Sequence, residues 1–151
     1  MTPIQIAAAI GNLELVTLLI KAGASIKCED YWSITPLSVA ASCGWWWCDS
    51  YGKTKSKHSR AEYIEIVRLL IENGAEVDTR EQYGITPLTR AVRANCPEIV
   101  KMLVDKGAKV FWSKGSHFDE DSPIIIAKDK RYKEIQQILG SSSNYIPLIK
   151  N

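Results

Sequence analysis

Apolar positions along the chain fall into stretches at helical spacing, with turn-forming residues between them. Leu15-Val16-Leu18-Leu19, Ile66-Val67-Leu69-Leu70, Ile99-Val100-Met102-Leu103 and Ile135-Ile138-Leu139 each place an apolar stripe on one face of a helix. A shorter apolar segment precedes each stripe and opens on Thr2-Pro3, Thr35-Pro36, Thr86-Pro87 or Ser122-Pro123. A hydroxyl at the N-cap satisfies orphan amides, and a proline with φ already fixed suits the first helical position, so these dipeptides read as helix starts. Gly23, Gly74 and Gly107 follow three of the stripes where a left-handed residue ends a helix. The pattern predicts helix pairs near 3–16, 36–72, 87–104 and 123–139, with Leu18, Leu69 and Leu103 as buried equivalents.

The spacing of these starts reveals an internal repeat. Thr2 to Thr35 spans 33 residues, Thr35 to Thr86 spans 51, and Thr86 to Ser122 spans 36. A base period of 33 explains all three if the second unit holds an 18-residue insertion and the third holds three extra residues. The units run at about 1–29, 30–80, 81–113 and 117–140, with the insertion at 45–62 and a tail at 141–151. Between units, stretches such as Ala75-Glu76-Val77-Asp78 through Tyr83-Gly84 carry the turn chemistry of a hairpin.

Ile85-Thr86-Pro87-Leu88, Glu98 to Val104 and Gly107-Ala108 together resemble the ankyrin repeat family, as do Glu14-Leu15-Val16, Leu18-Leu19-Ile20 and Gly23-Ala24. The resemblance implies an all-α solenoid of four helix pairs joined by β-hairpin-like fingers, in which each unit buries its apolar face against its neighbours. It also implies a non-catalytic scaffold for protein binding. The family's usual His after Thr-Pro-Leu is replaced by Gln5, Ser38, Thr89 and Ile125, and Arg90 stands where a core Leu is expected. Lys128 and Arg131 read as a polar C-terminal cap. The first unit starts at its helix without a preceding hairpin, which reads as a fragment of a longer array or as an unusually abrupt start.

Composition narrows the function. The chain has 151 residues, 46% of them hydrophobic and 24% charged, with a net charge of +2. That is ordinary for a folded soluble domain and too weak a field to imply nucleic acid from charge alone. No apolar run approaches the roughly 20 residues of a membrane span, so no membrane insertion is expected. Cys28, Cys43, Cys48 and Cys96 lack a scaffold spacing, which favours a reducing cytoplasmic location, or a nuclear one. Cys43, Cys48 and His58 are spread more widely than the tight pairs of zinc sites, so neither a metal nor a cofactor is expected. Phosphate loops, nucleophile elbows and zinc-protease helices are missing from the sequence, and no enzymatic activity is expected.

In an ankyrin-type array the contact residues are those that vary between units, on the fingers and inner helices. Here they are Tyr31, Trp32 and Ile34, then Gln82, Tyr83 and Ile85, then Phe118, with Cys43 and Arg93 on the inner helices. Trp32 and Tyr83 hold the same repeat position, which stacking would set roughly 10 Å apart. The insertion supplies a second candidate surface. Trp45-Trp46-Trp47 cannot all enter one core, and Lys53, Lys55, Lys57 and Arg60 follow with no acidic residue among them. A protein partner on the concave face is the leading expectation. Single-stranded nucleic acid or a nucleotide, with Trp stacking on bases and the cations on phosphates, is the alternative.

Overall fold

The computed structural model describes residues 1–27, 31–44, 58–81, 84–110 and 122–142. Its helices are α1 (Pro3–Ile10), α2 (Leu13–Lys21), α3 (Pro36–Ala41), α4 (Arg60–Glu72), α5 (Pro87–Arg93), α6 (Pro97–Asp105), α7 (Pro123–Asp129) and α8 (Lys133–Gly140). The inner helices α1, α3, α5 and α7 pack in succession, and so do the outer helices α2, α4, α6 and α8. No described residue lies in a strand, and no described helix is long and apolar enough to cross a membrane.

The local signals work as their chemistry requires. Thr35 and Thr86 accept bonds from the amides of Ser38 and Thr89, each at 3.2 Å. Ser122 makes no such bond, so its proline alone marks the start of α7. At the ends of α2, α4 and α6 the chain takes a positive φ at Gly23, Gly74 and Gly107, where a Cβ would be strained. The residue after each glycine donates its amide back to Leu19, Leu70 or Leu103, the double-bonded helix end in which a left-handed residue satisfies orphan carbonyls.

One continuous core runs through the stack. Ile4, Leu37, Leu88 and Ile124 share one repeat position and are buried, while Ala7, Ala40, Ala91 and Ala127 share another. Alanine at that second position lets neighbouring inner helices approach closely. The expected trio of Leu18, Leu69 and Leu103 is corrected, because Leu18 is 62% exposed and Leu69 only half-buried. Leu103 aligns instead with Leu19, Leu70 and Leu139, one residue further along each stripe.

The last three residues of the 45–62 insertion are helical. α4 begins at Arg60 and has 13 residues, where α2 and α6 have 9. Ser59 caps it through a reciprocal bond with Glu62, and Tyr63 occupies the repeat position held elsewhere by Asn12, Cys96 and Tyr132. An extra helical turn has therefore been added to the outer helix of the second unit.

Candidate functional site

The finger leading into α3 is built from its base upward. Ile34 is buried in the core, and its carbonyl accepts a 2.6 Å bond from Nε2 of Gln5 in the preceding unit. Gln5 also accepts from the amide of Thr2, so the side chain standing in for the family's His ties its own turn to the next finger. Ser33 reverses the chain at φ 57°. Beyond it Tyr31 and Trp32 project outward, 87% and 49% exposed, with their rings edge to face at a centroid distance of 5.4 Å. Offset or edge-on aromatic pairs of this kind form a preshaped contact surface, since each ring restricts the other.

The next finger is anchored differently. Arg90 donates from Nε and from a terminal guanidinium nitrogen to the two carboxylate oxygens of Glu81, and both side chains are buried. This fork-to-fork pair explains how a cation occupies a position filled in the other units by Ile6, Val39 and Ile126. Glu81 closes its turn by donating its amide to the Ile85 carbonyl at 2.9 Å. Further along, Asp78 accepts the Lys109 amide at 2.9 Å, linking this finger to the following one.

The sequence-predicted contact residues divide accordingly. Tyr31 and Trp32 are exposed together on one finger, and Ile85, Cys43 and Arg93 are half-buried. Ile34 is corrected from a contact residue to an anchor, because burial and its bond to Gln5 leave no side-chain surface for a partner. Gln82, Tyr83, Phe118, Trp45, Trp46, Trp47, Lys53, Lys55 and Lys57 lie outside the described residues.

Arg60 is exposed and bonded across the repeats. Its guanidinium donates from one nitrogen to the carbonyls of Ala94 at 3.4 Å and Asn95 at 3.1 Å, which braces the second unit against the third. One turn on, the buried Tyr63 hydroxyl donates to the Ala9 carbonyl at 2.9 Å in the first unit. A Cβ at Gly11 would lie 2.6 Å from the Tyr63 ring, so the glycine makes room for this tether. His58 and Glu62 meet at 2.8 Å. That contact, with the Ser59 amide, holds the Glu62 carboxyl below the usual carboxylate range.

These tethers were not predicted by pattern. Arg90 gave a signal as a charge at a core position, and Glu81 nine residues earlier was its available counter-charge. Gly11 and Tyr63 gave none, since their pairing depends on how two units dock.

On the outer side, an open groove of about 840 Å³ runs between α6 and α8, walled by Lys101, Asp105 and Glu134. Among the described residues no three His, Cys, Asp or Glu side chains gather as metal ligands.

Comparison with known proteins agrees with this architecture. The family model for ankyrin repeats in three copies matches residues 57–114, and the single ankyrin repeat model matches residues 1–31. Over 99 residues the chain is 29% identical to serine/threonine-protein kinase VIK of Arabidopsis thaliana, covering 66% of this chain and 18% of the kinase. The chain thus spans about a fifth of that relative's length. The crystal structure of the human ASB11 ankyrin repeat domain superposes with a TM-score of 0.73 at 24% identity, covering 93% of this chain and 54% of that one. With stacked helix pairs, glycine-ended outer helices and two matching family models, the chain belongs to the ankyrin repeat family.

Proposed function

We propose that the chain is a non-catalytic module that holds a protein partner on the face formed by its fingers and inner helices, in the cytoplasm or nucleus. The observation that carries this reading is the Tyr31–Trp32 pair, exposed on a finger whose base is fixed by Ile34 and Gln5. Aromatic anchors on a rigid base bring large contact area at little ordering cost, and such residues dominate binding energy at protein interfaces. The half-buried Arg93 and Cys43 lie at the ends of the neighbouring inner helices.

Affinity capture with the wild-type chain and with Tyr31→Ala and Trp32→Ala, followed by titration of the captured protein, tests the proposal. Each substitution is expected to weaken binding by about 1–4 kcal/mol, with modest salt dependence. A partner indifferent to both substitutions would refute the assignment of this face. Sub-micromolar binding of a single-stranded oligonucleotide at physiological salt, lost when Lys53, Lys55 and Lys57 are neutralised, would replace it with the alternative.

A further inference from the structure

The outer helices form the same groove twice, and the two copies differ in how far they are closed. Between α4 and α6 the floor is Ile71 and Met102, and between α6 and α8 the repeat-equivalent floor is Val104 and Ile138. The first groove measures about 260 Å³ and the second about 840 Å³. Asp105 and Lys106 close the first at the end of α6, whereas Ser141 and Ser142 take their places at the end of α8 and leave the second open. Ser141 turns its hydroxyl back to the Ile138 carbonyl at 3.1 Å. The Ser142 hydroxyl is enclosed and has no partner among the described residues. Both features gain from a cover, the apolar floor from apolar side chains and the enclosed hydroxyl from a backbone group.

The chain itself supplies a matching segment. The nine residues that follow Ser142, outside the described ones, are Ser143-Asn144-Tyr145-Ile146-Pro147-Leu148-Ile149-Lys150-Asn151. Tyr145 to Ile149 is an apolar run with a proline at its centre. Pro147 lacks an amide and disfavours helical geometry at Ile146, so the run does not continue α8 and favours an extended path. In an extended segment Ile146 and Leu148 share one side, about 7 Å apart, and Tyr145 and Ile149 share the other. The row with the tyrosine suits the water-facing side, where its hydroxyl stays solvated. The lengths agree as well. From Ser142 back to Glu134 is about 12 Å along α8, and an extended chain covers about 17 Å from Tyr145 to Lys150. That brings the Lys150 ammonium to the carboxylate of Glu134, at the far end of the groove.

We propose that the groove between α6 and α8 is the docking site of this chain's own segment 145–149, with Ile146 and Leu148 against Val104 and Ile138 and Lys150 beside Glu134. The chain turns at 143–144 and runs back antiparallel to α8. Ser142 and the exposed Gln137 on the rim hydrogen-bond its backbone, which an extended segment leaves without internal partners. Docked in this way, the segment covers the outer side of the fourth repeat. The fingers and inner helices remain the side open to another protein.

The test uses the full chain with labelled Ile, Leu and Val methyl groups and reads nuclear Overhauser contacts. Cross-peaks are expected from the methyls of Ile146 and Leu148 to those of Val104 and Ile138. In Ile146→Asp/Leu148→Asp, checked by circular dichroism for its helices, the Val104 and Ile138 signals should shift. Amide exchange should quicken along α8 while α1 and α2 keep their rates. Lys150→Glu sets like charges side by side at Glu134 and should weaken the same cross-peaks without altering the apolar row. In a mixture of two differently labelled samples, no cross-peaks should pass between chains. Contacts between chains would make a second copy the occupant, and a wild type without any contact between these methyls would leave the groove uncovered by the segment. Either result overturns the proposal.

Discussion

In the outer helix of the third repeat Ile99 and Leu103 are fully buried, whereas their equivalents in the first repeat, Leu15 and Leu19, are 37% exposed and half-buried. The inner helices differ in the same way, with Arg90 buried and Ile6 at the matching position 42% exposed. Both repeats carry the same apolar spacing and the same glycine-ended helix. The difference lies in their neighbours. Among the described outer helices, α6 packs against α4 on one side and α8 on the other, while α2 packs against α4 alone. Burial in a solenoid is thus a property of the interface between units, and one sequence pattern contributes different stability at the end of the stack and inside it.

The largest effect expected from this difference concerns the cation that the third repeat buries in place of an aliphatic side chain. Glu81→Gln leaves the Arg90 guanidinium enclosed without its counter-charge and should cost about 3–5 kcal/mol in chemical denaturation. Exchanging both partners, Glu81→Leu with Arg90→Ile, gives the third repeat the side chain that the first has in Ile6. That double variant should recover most of the loss. If Glu81→Gln unfolds at the wild-type midpoint, the buried pair is not what holds this finger to α5.

Next in size is the contrast between a buried and an exposed leucine on two outer helices, at positions the apolar stripe alone does not distinguish. Leu103→Ala should destabilise by about 2–5 kcal/mol, because a fully buried side chain leaves a cavity that its neighbours only partly fill. Leu18→Ala removes a side chain that is already largely in water and should stay within about 0.5 kcal/mol. Equal losses at the two positions would overturn the register that buries Leu103 and leaves Leu18 in water.

The same pair of residues marks how far the sequence alone could be read. Helix starts and stops were legible because Thr-Pro and the terminal glycines act locally, through caps and backbone conformations that need no distant partner. Leu18-Leu19-Ile20 and Leu69-Leu70-Ile71 are consecutive apolar runs, and nothing in such a run selects which member faces inward. The inward member is chosen by the adjoining unit. Arg90 and Glu81 were half legible, as an anomaly without a geometry. Of the candidate contact residues, Trp32 and Tyr31 stood out in the sequence because aromatics at a turn have no local structural role, whereas Ile34 resembled them in pattern and differed only through burial. The links from Tyr63 to Ala9 and from Arg60 to Asn95 join residues 54 and 35 apart, beyond any local pattern.

The smallest expected effect asks whether the exposed first repeat is compensated elsewhere. Its own apolar stripe is only partly used, but the extra turn of α4 reaches it through Tyr63, whose hydroxyl meets the Ala9 carbonyl beside Gly11. Tyr63→Phe keeps the ring over the glycine and removes only the donor, so the expected loss is about 0.5–1.5 kcal/mol. The informative measurement is amide hydrogen exchange. Protection should fall in α1 and α2 while α5 and α6 keep theirs, since a near-neighbour array passes on a local loss weakly. Uniform loss across all four repeats would instead mean that the stack unfolds as one unit, and that the end repeat is no weaker than the interior despite its exposed leucines.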